Sequence, residues 1–217
     1  MNAQSFYYAS GGVTHQDAQY ADSGWTDLKS RTHYFGYKGD ELSDYSQSFM
    51  LAKNPNDTYY SVIRDTTVYS YTNDVMNMAT SYKGGSENVK PTSGTLKSRA
   101  YYKGISRGEE LSDYSFTYSG ASGTGAQIVT TTVYFYDAAF VRAGSAYAMS
   151  SYAMTASDVY NGDYRNASYS AAITDRKSRT LYVGYKGDEL ITRVINYMIK
   201  NTAGENGVKE TINYTYK

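Results

Sequence analysis

An all-β protein built of tandem β-hairpin repeats, laid out as an extended twisted sheet, a sandwich or a solenoid-like array, follows from three features of this sequence of 217 residues. The stretch YKGDEL stands unchanged at 37–42 and 185–190, with SRGEEL between them at 106–111. Each copy is followed by a second box, TTVYSY, TTVYFY or TINYTY. The chain carries 27 tyrosines, and Tyr, Thr and Val suit the half-buried, pleated surface of a sheet.

The first boxes extend well beyond the shared six residues. They read LKSRTHYFGYKGDELSDYSQSF from Leu28, LKSRAYYKGISRGEELSDYSFTY from Leu96 and RKSRTLYVGYKGDELITRVINY from Arg176, starting 68 and then 80 residues apart. The second boxes begin at Thr66, Thr131 and Thr211, so the pairs keep their order. Such repetition marks arrayed units, each too small to bury its own face. The chain divides into a partial repeat over 1–27, repeats over 28–95 and 96–175, and a partial repeat over 176–217.

Along the chain, SFYYASGGVTHQDAQY aligns best with the second box. In TTVYFYD, Val133 and Phe135 share one face and Tyr134 and Tyr136 the other, as in a strand covered on both sides. In the last box Ile212, Tyr214 and Tyr216 share an apolar face opposite Thr211, Asn213 and Thr215. Turn clusters at 54–57, 83–88 and 119–125 separate the runs, and both prolines, Pro55 and Pro91, fall in connections. A helix is allowed only at TRVINYMIK, residues 192–200.

Composition narrows function by exclusion. Lys plus Arg and Asp plus Glu each number 21, giving no net charge, and nucleic-acid or anionic-membrane binding needs clustered positive charge. Without cysteine there are no disulfides, thiolate metal sites or cysteine nucleophiles. Apolar runs fall far short of the ~20 residues of a spanning helix. MNAQSFYYASGG has neither the basic start nor the apolar run of a signal peptide. Leu, Ile, Val and Phe make up only 33 residues, so tyrosine faces must supply much of the core.

The acidic motif has three readings. Adjacent residues of a strand point to opposite faces, so Asp40 and Glu41, Glu109 and Glu110, and Asp188 and Glu189 do not converge as a catalytic pair. A calcium site would draw on these six with Asp44 and Asp113, but each turn offers only two carboxylates and the third copy lacks the later aspartate. The turn reading accounts for every position. Gly39, Gly108 and Gly187 take positive φ, Lys38, Arg107 and Lys186 face the acids, and Leu42, Leu111 and Leu190 return the chain to the core. His15 and His33 are not repeated. The glycine-rich 119–125 stretch fits neither a phosphate loop nor a nucleophile elbow. No catalytic residue and no cofactor is expected, and the chain is not expected to be an enzyme.

The segments TLYVGYKGDELITRVINY and TTVYFYDAAFVRAGSAY, with the pair Tyr136-Asp137, resemble the tyrosine–aspartate (YD) repeats of bacterial Rhs and teneurin-type surface proteins. The resemblance implies β-hairpins laid side by side in a large extracellular or cell-surface assembly, with a structural role and no catalytic residues.

Both ends fall within the second-box half of the repeat, and an unpaired strand edge invites another strand. The expected role is therefore structural: self-association, head to tail into a filament or surface layer, through Thr211, Ile212, Asn213, Tyr214, Thr215 and Tyr216 at one end and Phe6, Tyr7 and Tyr8 at the other. The partners are copies of the chain or flanking repeats of a longer one. The alternative is an adhesin or carbohydrate-binding module that uses exposed tyrosines on glycans.

Overall fold

The computed structural model describes residues 28–56, 59–120, 125–145, 152–170, 175–198 and 207–216, and the backbone of a strand at 2–7. The protein is all-β. Its strands are β1 (Asn2–Tyr7), β2 (Leu28–Phe35), β3 (Leu42–Lys53), β4 (Tyr59–Thr72), β5 (Val75–Lys83) and β6 (Leu96–Lys103), then β7 (Leu111–Tyr118), β8 (Ile128–Tyr136), β9 (Met154–Asn161), β10 (Arg176–Val183), β11 (Leu190–Tyr197) and β12 (Val208–Asn213). They form a sheet of hairpins in chain order, β1 to β12. TRVINYMIK is strand through Tyr197, not helix, because its apolar residues serve the period of a sheet paired on both edges.

A four-strand repeat underlies that order, with first strands β2, β6 and β10, second strands β3, β7 and β11, and third strands β4, β8 and β12. Register repeats with it. Gln47 lies opposite Thr66, Phe116 opposite Thr131 and Ile195 opposite Thr211. A bulge falls at Ser48/Phe49, Thr117/Tyr118 and Asn196/Tyr197, at one place in the repeat. The first-to-second pairing is bulged alike at His33/Tyr34, Tyr101/Tyr102 and Leu181/Tyr182.

The fourth strands are β5 and β9, and β1 belongs with them. Tyr7 lies opposite Leu28 and Phe6 opposite Ser30, as Tyr160 lies opposite Arg176 and Val159 opposite Ser178, with the slip in register at the same point. The N-terminal strand thus comes one strand later in the repeat than the second box with which its sequence aligned.

The turns explain the shared motif. Tyr37–Asp40, Ser106–Glu109 and Tyr185–Asp188 are each closed by an amide of the fourth residue bonded to the carbonyl of the first. Gly39, Gly108 and Gly187 sit third with φ of 95°, 82° and 90°, the type II arrangement. The glycine before the turn is there for want of space, since a Cβ on Gly184 would lie 2.6 Å from the Asp188 carbonyl oxygen. Between β4 and β5, Asn73 and Asp74 both have positive φ (51° and 62°), a two-residue turn that matches the twist of the strands it joins.

The chain forms two compact units: 1–70 with 79–97 and 120–126, and 71–78 with 98–119 and 127–217. In the first, Leu28, Leu42, Tyr45, Phe49, Leu96 and the polar Gln47, Thr66 and Thr80 are buried. The connection after β5 lies over one sheet face: Gln47 donates to the Ser86 carbonyl and accepts from the Asn88 amide, Arg31 pairs with Glu87, and Lys90 pairs with Asp44. In the second unit, Val133, Phe135, Ala156 and Tyr160 are buried together with Ala167 of the connection after β9, while Tyr164, Tyr169 and Phe140 pack on them. The rings of Phe140 and Tyr169 stack at 3.8 Å. Loops thus supply the second layer that these strands need to exclude water.

Candidate functional site

The carboxylate pair of the motif is split by role, and its second member is the joint between repeats. Glu189 Oε2 accepts from the Gly187 amide of its own turn at 2.9 Å, and its Oε1 accepts from the Met154 amide, the first of β9, at 3.0 Å. Glu110 accepts likewise from the Met76 amide near the start of β5, at 2.9 Å. Glu41 accepts from Gly39 at 2.9 Å. In two copies, then, the turn of one repeat holds the fourth strand of the repeat before it. Charge-assisted bonds to backbone amides contribute about 1.5–3 kcal/mol each where they are partly shielded from water.

The other acids point elsewhere. Asp113 pairs with Arg142 at 2.8 Å, and Asp44 with Lys90. Glu109 accepts from the Ser106 hydroxyl at 3.1 Å. Asp40 and Asp188 close their turns through their amides. Among the described residues no group of three or more acidic or histidine side chains gathers where a metal ion could be held, so the calcium set does not come together. Leu42 and Leu111 are buried as the motif suggests, but Leu190 is 46% exposed.

A second contact ties the third strand to the glycine that follows the fourth. The Thr66 hydroxyl donates to the Gly84 carbonyl at 2.8 Å, and Thr131 does the same to Gly162 while accepting from the Tyr164 amide at 3.0 Å. Both threonines are fully buried. The equivalent on β12 is Thr211, which is exposed, as is every residue of that strand. Ile212 is 38% exposed, Tyr214 44% and Tyr216 52%. Towards β11 the strand is well held: Arg193 donates to Asn213 at 3.1 Å, and the Tyr216 hydroxyl donates to the Ile191 carbonyl at 2.6 Å. Its other edge faces no strand among the described residues. At the opposite end of the strand order lies β1, with Phe6 and Tyr7; Tyr8 lies outside the described residues.

Two features escape sequence reasoning. Asp158, fully buried, meets Arg176 at 3.2 Å and Arg179 at 2.7 Å and accepts from the Tyr160 hydroxyl at 2.8 Å. Burial, helped by Asp158, pushes the Tyr160 hydroxyl up to about 12. In the preceding repeat Thr80 and Leu96, both buried, stand in the places of Asp158 and Arg176, while Arg99 stands in that of Arg179. The only available signal was the arginine recurring as Arg31, Arg99 and Arg179. His33 is the other case. Stacked on Tyr45 at 4.2 Å, it takes the place that Tyr101 holds against Tyr114 at 4.5 Å. Burial and then Arg31 hold its pKa below the usual histidine value.

No protein-family model matches the chain, and no curated protein matches it.

Proposed function

We propose that this is a structural β-repeat protein that works by edge-to-edge assembly, each four-strand unit completing the next, with copies of itself or with flanking repeats of a longer chain. The observation that carries this reading is the joint. Glu110 and Glu189 reach amides at the start of β5 and β9, so a repeat's last strand is secured by a residue of its successor. An array built in this way adds units by the same contacts that hold it together. The edge of β12, last in the strand order among the described residues, offers amides and carbonyls to a further strand. Placement at the cell surface or outside the cell rests on the resemblance to YD repeats, as does the layer or filament geometry. Sedimentation and electron microscopy from low to high micromolar concentration test the proposal. Assemblies that grow with concentration are the expected result, and a strict monomer with no ordered assembly rejects it.

A second reading, a glycan-binding module, draws on Tyr37 and Tyr185, 89% and 85% exposed at equivalent turns. Aromatic faces pack against apolar sugar faces. Saturable binding to a defined sugar on a glycan array, lost in Tyr185→Ala, is its test.

A further inference from the structure

We infer that β12 is an acceptor for the β1 strand of a second copy of this chain, in one defined register: Thr211 opposite Tyr7, Ile212 opposite Phe6, Asn213 opposite Ser5, Tyr214 opposite Gln4 and Thr215 opposite Ala3. This rests on the edge-assembly reading and specifies its partner and alignment.

The register comes from two superpositions of repeat on repeat. Through its pairing to β11, β12 is a third strand, with Thr211 in the place of Thr131. Through its pairing to β2, β1 is a fourth strand, with Tyr7 in the place of Tyr160. Within the chain the third and fourth strands pair with Thr131 opposite Tyr160, Thr132 opposite Val159 and Val133 opposite Asp158. Carrying that alignment over gives the pairs above. The two outer edges are of opposite kind: among the described residues β12 has no fourth strand beside it and β1 no third. A β12–β12 or β1–β1 contact would join like to like and reproduce none of the internal pairings. Residue Thr211, exposed here, stands in the place of Thr66 and Thr131, whose buried hydroxyls bond the carbonyl of the glycine just past their fourth strands. Sequence agrees: the fourth strands carry Thr80, Asp158 and Ser5 two residues before Tyr82, Tyr160 and Tyr7.

Single-cysteine variants of the full chain test this, because the protein has no cysteine of its own. Ile212→Cys and Phe6→Cys are mixed under mild oxidation, beside each variant alone and beside Ile212→Cys mixed with Gln4→Cys, two residues out of register. A disulfide needs closely apposed Cβ atoms, so the in-register mixture should give about tenfold more cross-linked dimer than any other sample. Circular dichroism confirms that each variant is folded. Equal or greater yield from Ile212→Cys alone, from Phe6→Cys alone or from the Gln4→Cys mixture, in a sample that assembles, overturns the register while leaving edge assembly standing. A folded monomer with no cross-link in any mixture overturns both.

Discussion

The fully buried carboxylate of Asp158 accepts two hydrogen bonds from the Arg179 guanidinium, Nε to Oδ1 and Nη2 to Oδ2, each at 2.7 Å. Such a fork is strong only while both partners remain. Asp158→Ala leaves Arg176 and Arg179 without their buried countercharge and should cost about 3–5 kcal/mol in urea unfolding. The double change Asp158→Thr with Arg176→Leu restores the Thr80–Leu96 combination of the previous repeat and should recover the part of that loss that belongs to Arg176, not the part that belongs to Arg179.

Tyr160 sets an alkaline limit. Its folded pKa is pushed up to about 12, above the unfolded value of about 10. The folded state therefore keeps its proton while the unfolded chain loses it. Stability from this group is complete below pH ~10 and declines as pH rises toward ~12. Burial raises Tyr136 in the same direction. Urea midpoints measured across this window should fall with pH, and less steeply in Tyr160→Phe.

His33 acts at the acid end. Its folded pKa lies below the unfolded value of about 6.5, so the unfolded chain takes up the proton first as pH drops. The associated stability is full above pH ~6.5 and is lost as pH falls through and below that value. His33→Tyr, the residue found at the equivalent Tyr101, should flatten the profile between pH 7 and pH 5, roughly the histidine range.

The inter-repeat joint is open to hydrogen exchange. Glu189→Ala removes the acceptor of the Met154 amide, and exchange at that amide should rise roughly tenfold or more. Exchange at the Tyr160 amide, set deep in β9, should change less.

The two glycines of the turn should differ in tolerance. Gly184→Ala drives a Cβ against the Asp188 carbonyl, whereas nothing lies within 4 Å of a Cβ on Gly187. Thermal unfolding should show the larger loss for Gly184→Ala. Gly187→Asn should be mild, since asparagine accepts positive φ better than other side chains.

Strand and turn positions were legible because they recur. Leu28, Leu96 and Arg176 each open a first strand, and the steps Lys38-Gly39, Arg107-Gly108 and Lys186-Gly187 each form a turn. The phase of β1 was not, because fourth strands share little beyond a polar residue and a tyrosine, and only pairing reveals their place. The role of Glu110 and Glu189 was hidden for a related reason. A carboxylate bonded to a main-chain amide leaves no mark on the sequence of its partner, here Met76 and Met154. The Asp158 cluster joins residues of two different repeats and has no copy to expose it. The TRVINYMIK stretch misleads locally because Val194 and Ile195 satisfy either period until neighbouring strands decide.

The corner between third and fourth strands is a two-residue turn after β4, yet after β8 the chain runs from Asp137 to Ala153 before β9 resumes the common register. A framework that absorbs such a length change without shifting its ladder offers a natural port for cargo. Foreign peptides spliced between Asn73 and Asp74 should be displayed while the neighbouring hairpins keep their alignment.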